Sequence, residues 1–340
     1  VLSTATVFAD GPTLVSFNVN LAHPAIPPST PATSGTATIK AKVYSNPANR
    51  GVTTILAVHG LTETASTFGP LASKIFADNV LGYAVKRVIA IDLVGHGDSS
   101  NPVSTNGFRF GDMTINDNVS VVIQSIDALR AQQLGPQVIL GHSMGGLAIQ
   151  GVQEALLAQG SSLAKHGVFG AILMAAVPNF NSAWTQPPPS NVTPFLVTND
   201  PALGVYLSLP PEVYVQTGGF RLLSTGQVVA NVPTAAQVVA NGWNGREPVI
   251  TLIQLTSTTG PLVRPGCRQG AFKLQNGTLL SVISFSQDVL TPAVDQNALY
   301  VYLNGGSGPL YRPVVAADAV HSMFLSNPAG LITALRNGVM

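Results

Sequence analysis

At 340 residues the chain can form one large domain with an insertion or two modest domains. Hydrophobic residues make up 46% of it and charged residues only 9%, which excludes a disordered polar chain. The net charge is +1 and the Lys and Arg residues are scattered, so no basic stripe suits nucleic acid or an anionic membrane.

The longest apolar run, Val168–Pro178, is too short to span a bilayer. A single cysteine, Cys267, permits no intramolecular disulfide and reads as a buried or half-buried free thiol. The sequence begins at Val1. A removed export signal and an arbitrary start point would both look like this. Low charge and many small polar residues favour a secreted or periplasmic setting. Asn118, Asn191 and Asn276 each begin an N-x-[ST] triplet, about as many as chance supplies, and carry no weight for glycosylation.

In chain order, residues 13–20 and 37–44 read as two strands joined by a Pro/Ser/Thr-rich turn, an antiparallel pair. Residues 53–60 are strand-like and lead into a helix-like stretch at 68–81. Residues 87–97 form the next strand, and 114–134 a long amphipathic helix. A short strand at 138–140 runs straight into a helix-spaced segment with Leu147, Ile149, Val152, Leu156 and Leu157 near one face. Residues 167–177 supply another strand.

Apolar strands alternating with helices imply a mostly parallel sheet covered on both faces, an α/β architecture. The alternation fails from 179 to about 275, where Pro-rich breaks, weak helical patches and both tryptophans fall. It resumes with a strand at 278–288, a helix near 291–303, a strand at 311–317 and a terminal helix from about 323 to 336. The expected organisation is therefore an α/β core in two parts, 1–178 and 276–340, interrupted by an inserted cap at 179–275. Trp184 and Trp243 of the cap are the expected substrate-binding aromatics.

The chemistry begins at "GHSMG", residues 141–145, where a strand turns into a helix with almost no linker. Such a corner presents the Ser143 hydroxyl on a strained turn, with glycines where side chains would not fit. A serine hydroxyl needs a base, and the base an orienting acid. Of the histidines, His142 adjoins the nucleophile, and His59 and His96 sit at strand ends where backbone turns explain them. His23 and His166 lie in loops without an obvious partner. His321 follows the last strand, where a parallel sheet delivers side chains to its active edge, and is the expected base. Asp288 lies just past a buried strand and is the expected acid. Asp295 falls inside a helix, and Asp318 suits an N-cap. The oxyanion donors are the main-chain N–H groups of Met144, at the start of the helix, and Leu61, just after "HG".

"VHGLTETASTF", "VIAIDLVGHGDSS", "VILGHSMGG", "SFSQDVLTP" and "DAVHSMF" occur in order along the chain. Their order and spacing resemble the α/β-hydrolases over residues 53–178 and 278–340. The resemblance implies the chain order nucleophile, acid, histidine, which Ser143, Asp288 and His321 reproduce. It also implies oxyanion donors at Leu61 and Met144, a lid after the sixth strand, and an architectural role for Asp92, His96 and Asp98. A serine at the elbow disfavours the haloalkane dehalogenases and epoxide hydrolases, whose nucleophile is aspartate. The acid motif departs from the family in carrying Ser286-Gln287 where a glycine and a second acid are common.

The leading expectation is a serine hydrolase cleaving small-molecule or polymeric carboxylic esters with an apolar or partly apolar group. No metal or organic cofactor is implied, and no nucleic-acid partner. The same triad also suits lactones or polyesters, C–C bonds of β-diketone-like substrates, and perhydrolysis. A ligand-binding protein on the same fold is the non-catalytic alternative.

Overall fold

The computed structural model describes residues 11–23, 32–45, 51–104, 106–178, 195–257, 264–273, 277–306, 314–316 and 318–339. The main sheet has eight strands: β1 (Thr13–His23), β2 (Thr33–Ser45), β3 (Thr53–Val58), β4 (Val85–Ile91), β5 (Val138–His142), β6 (Gly170–Met174), β10 (Leu279–Phe285) and β11 (Val314–Ala316). They lie in the order β1-β2-β4-β3-β5-β6-β10-β11. β1 pairs antiparallel with β2, and β2 antiparallel with β4. All pairings from β4 onward are parallel.

The strand sequences explain this split. β1 buries Phe17, Val19 and Leu21 and turns the residues between them outward, the period of a sheet covered on one face. β3, β5 and β6 are almost uniformly buried, because helices cover both faces of the parallel part. On one face α3 (Ile115–Ala131), α4 (Met144–Ala158) and α8 (Ala293–Leu303) pack into a cluster with Leu56, Ile89 and Val282. On the other, α1 (Gly69–Ala77), α9 (Met323–Ser326) and α10 (Ile332–Val339) enclose Ile55, Val88 and Phe285. A short helix, α2 (Leu81–Ala84), precedes β4.

The long helix α3 starts where a local signal puts it. Thr114 accepts from Asp117 N, and Asp117 Oδ2 accepts from Thr114 N at 2.7 Å, a reciprocal cap. The expected terminal helix is instead broken into α9, a 3₁₀ turn at Pro328–Leu331, and α10. Pro328 has no N–H to continue the ladder. No helix among the described residues is long and apolar enough to cross a membrane.

Between β6 and β10 the chain leaves the main sheet. The described part forms a separate antiparallel sheet of β7 (Leu196–Asp200), β8 (Gly204–Ser208) and β9 (Arg246–Pro248). It also forms α5 (Pro211–Tyr214), α6 (Ala235–Asn241) and α7 (Val249–Thr256). The short helices answer to the weak helical patches expected there, and the three strands are an addition that the sequence did not show. β7 and β8 are only five residues each, below the length at which a period shows, though "NDPALG" between them carries a turn signal.

Polar contacts fasten this segment to the core. Gln254 Oε1 accepts from Ile115 N at 2.7 Å, satisfying a free donor at the start of α3. Gly245 N donates to Thr62 O at 2.6 Å. The fully buried Glu247 Oε2 sits 3.0 Å from His96 Nε2. Asn118 of α3 is buried, and Cys267 is buried and in no disulfide.

Candidate active site

The parallel strands end on one edge, and five loops meet there. At the end of β5, Ser143 adopts φ 52° and ψ −117°, a backbone region rare for any residue with a Cβ. Gly141, Gly145 and Gly146 owe their presence to close approach. A Cβ on Gly141 would lie 2.5 Å from Gly145 O. One on Gly145 would strike Val58 O, and one on Gly146 the Ala176 methyl. The strand, the helix and the neighbouring strand ends are packed too tightly for side chains, and the serine is held on the corner.

His321 follows β11, and Asp288 follows β10. The structure brings them together: His321 Nδ1 lies 2.7 Å from Asp288 Oδ2, and both are buried. A carboxylate only accepts, so Nδ1 carries the hydrogen and Nε2 keeps its lone pair. Asp288 Oδ1 accepts from Leu290 N at 2.7 Å and Thr291 N at 3.0 Å, and Oδ2 is 2.6 Å from the Thr291 hydroxyl. Burial alone would raise the Asp288 pKa, but His321 and Thr291 hold it below the ordinary value. Burial alone would lower that of His321, but the Asp288 carboxylate raises it, with Glu63 adding to the effect. Asp318 is exposed, and Ser322 occupies the N-cap of α9. Asp295 sits in the first turn of α8. Neither is bonded to His321.

His142, set aside in the sequence, belongs to this network. Its Nδ1 lies 3.0 Å from Glu63 Oε2, and its Nε2 2.9 Å from the His321 carbonyl oxygen. Glu63 Oε2 also accepts from Gly60 N at 2.8 Å. Burial would raise the Glu63 pKa, yet His142 beside it and the Gly60 N–H keep it low. Glu63 thus ties the loop after β3 to the elbow. The sequence reading missed Glu63 and Thr291. Thr291, three residues after Asp288, has the spacing of a side chain that closes an Asx-type turn and could have been found. Glu63 in "HGLTET" has no such local signal.

The turn after β4 is architectural, as the resemblance implied. Asp92 Oδ1 accepts from Ala65 N at 2.7 Å and Oδ2 from Asp98 N at 3.1 Å. Asp98 pairs with Lys42 at 2.9 Å. His59 is fully buried and accepts from Leu93 N, and burial with neighbouring His96 lowers its pKa to about 3. Burial alone would lower the His96 pKa, but Glu247 raises it.

Ser143 and His321 open into one cleft. Leu61, Val177 and Leu290 line it from the core, and Phe195, Leu209, Tyr214, Leu252 and Leu255 from the 195–257 segment. Leu61 is on the wall, and Met144 is the first residue of α4, whose leading N–H groups have no acceptor within the helix. Trp243 does not line the cleft. It is buried in the core with Leu209, Tyr214 and Val238, where a large ring contributes more by packing than by contact with a ligand. Trp184 lies outside the described residues. No group of His, Cys, Asp and Glu among the described residues has the geometry to hold a metal.

Solved structures share this architecture. The naproxen esterase (carboxylesterase NP) of Bacillus subtilis is 13% identical, with a TM-score of 0.52, covering 96% of this chain and 92% of that one. The N-acyl homoserine lactonase AidH is 15% identical, with a TM-score of 0.50 and 96% of each chain covered. A thioesterase domain from the curacin biosynthetic pathway is 14% identical, with a TM-score of 0.51, covering 88% of this chain and 95% of that one. At such identities the likeness is one of fold. No curated protein sequence matches. A profile described as the alpha/beta hydrolase family matches residues 55–334, which is most of the chain and spans every strand from β3 to β11, and the protein belongs to that family.

Proposed function

We propose that the protein is a serine hydrolase of carboxylic esters that works through an acyl-enzyme. The observation that carries this reading is that His321, paired with the buried Asp288 at 2.7 Å, opens with the strained Ser143 into one mainly apolar cleft. Ser143 Oγ attacks the ester carbonyl while His321 Nε2 takes its proton. Asp288 holds the Nδ1–H and favours the imidazolium that forms. The Leu61 and Met144 N–H groups receive the oxyanion. His321 returns the proton to the departing alcohol, and water then repeats the sequence on the acyl-enzyme.

In this reading residues 179–275 form the cap. Support comes from Phe195, Leu209, Tyr214, Leu252 and Leu255, which share the cleft with Ser143. Apolar walls of that kind favour an apolar acyl or alcohol group.

The test is turnover of p-nitrophenyl esters of graded chain length, with covalent labelling by a sulfonyl fluoride and peptide mapping of the adduct. Hydrolysis with label on Ser143 is expected. A folded protein that hydrolyses none of the esters and takes no label overturns the reading.

A further inference from the structure

Two polar groups on the cleft wall each leave an atom that no group among the described residues engages. Tyr214, at the end of α5, is buried, and its phenol oxygen has no hydrogen-bond partner among the described residues. Burial, with the Glu63 carboxylate adding to it, pushes the phenol well above its ordinary pKa, so the group is a neutral donor. Glu63 lines the same cleft. Its bonds to Gly60 N and His142 Nδ1 both fall on Oε2, which leaves Oε1 without a partner among the described residues.

A hydroxyl left unpaired in a buried site is unfavourable, and a carboxylate oxygen without a protein partner is open to a donor from the cleft. By contrast, two other hydroxyls of the wall are engaged by the protein. Thr217 donates to Tyr214 O at 2.9 Å, and Thr291 sits 2.6 Å from Asp288 Oδ2.

A group placed against both has to accept from the phenol and donate to the carboxylate. A carbonyl or ether oxygen only accepts, and an ammonium only donates. A hydroxyl does both. We propose that Tyr214 and Glu63 form a hydroxyl-binding subsite, and that the substrates are esters carrying a free hydroxyl close to the scissile carbonyl. The ester part rests on the hydrolase reading above. Closeness follows from Gly60: a Cβ there would lie 3.0 Å from Glu63 Oε2 and 3.1 Å from Ser143 Cβ, so the Glu63 carboxylate and Ser143 both pack against Gly60.

The experiment compares kcat/KM for matched esters on the wild type and on Tyr214→Phe, which keeps the ring and removes only the hydroxyl. One series holds p-nitrophenyl esters whose acyl chain is plain, hydroxylated at successive carbons, or aminated at the same carbons. A second compares butyrate monoesters of a short diol with those of the simple alcohol. The wild type should favour its best hydroxylated substrate over the plain partner by about tenfold or more. In Tyr214→Phe that ratio should fall to near one, with a melting temperature showing the fold intact. A wild-type ratio near one in every pair, the result if only water occupies the subsite, overturns the proposal. So does an undiminished ratio in Tyr214→Phe, or a preference for the amine over the hydroxyl.

Binding separates this from the ester reading. Dissociation constants of hydroxylated and plain carboxylic acids for Ser143→Ala, measured by calorimetry, report the subsite even if no ester is hydrolysed. Equal constants in that assay overturn the subsite alone.

Discussion

His142 Nε2–H donates to the main-chain carbonyl of His321 at 2.9 Å. His142, the residue before Ser143, therefore positions the backbone of His321. The bond crosses from the end of β5 to the loop after β11, and the His142 and His321 rings lie 4.7 Å apart, centre to centre. With Glu63 on the other side of His142, three loops of the site are joined by buried hydrogen bonds. Preorganised loops of this kind are what fixed oxyanion donors require.

Ser143→Ala should abolish ester hydrolysis, by on the order of 10⁴-fold or more, because triad members act as a unit. Circular dichroism should show the fold retained. Near-normal turnover in the folded variant would remove Ser143 from the mechanism.

Asp288→Asn should cost about 10⁴-fold in kcat, since an amide cannot hold the same His321 tautomer. Asp318→Asn should be close to neutral, because Asp318 is exposed and unbonded to His321. Thr291→Val should fall between the two. The ranking is read from kcat of the three purified variants, and a larger loss in Asp318→Asn would reverse the assignment.

The acid limb of kcat/KM should lie above pH 6.5, the ordinary histidine value, because Asp288 and Glu63 outweigh the effect of burial on His321. Glu63→Gln removes one of those charges and should move the limb to lower pH. The stability linkage has the opposite sense. A raised histidine contributes stability that is complete below its unfolded pKa, about 6.5, and is lost as pH rises through the folded value. Asp288, held low, contributes above its unfolded pKa, about 3.9, and loses that contribution as pH falls through the folded value. A pH–rate profile with its limb unmoved in Glu63→Gln would separate Glu63 from His321.

Glu247→Ala should destabilise by about 3 kcal/mol or more, since removing one partner strands a buried, raised-pKa His96. Glu247 comes from β9 and reaches the turn after β4, so the loss should also loosen the 195–257 segment. Urea denaturation gives the first number, and proteolysis within that segment reports the second. An unchanged midpoint would show that the pair contributes nothing net.

Gly145→Ala should destabilise by about 2 kcal/mol or more and lower activity, because its Cβ would meet the carbonyls of Val58 and His59 rather than a side chain that can move aside. Thermal melting with an activity assay checks both.

The sequence by itself determined the elements whose cause is local. Continuous apolar runs placed β3, β5 and β6. The Thr114–Asp117 cap placed the start of α3, and the packing glycines around Ser143 placed the elbow. Strand ends also brought Asp288 and His321 to the same edge, because a parallel sheet collects its carboxyl-terminal loops there.

Only the tertiary structure decided the rest. Glu63 meets His142 across 79 positions, and Glu247 meets His96 across 151. No periodicity encodes such pairs, since a buried charge is specified by whatever folds against it. The same reason accounts for Trp243. A tryptophan in a Pro-rich insertion looks like a ligand contact, and whether its ring faces the cleft or the core depends on the packing of segments far apart in the chain.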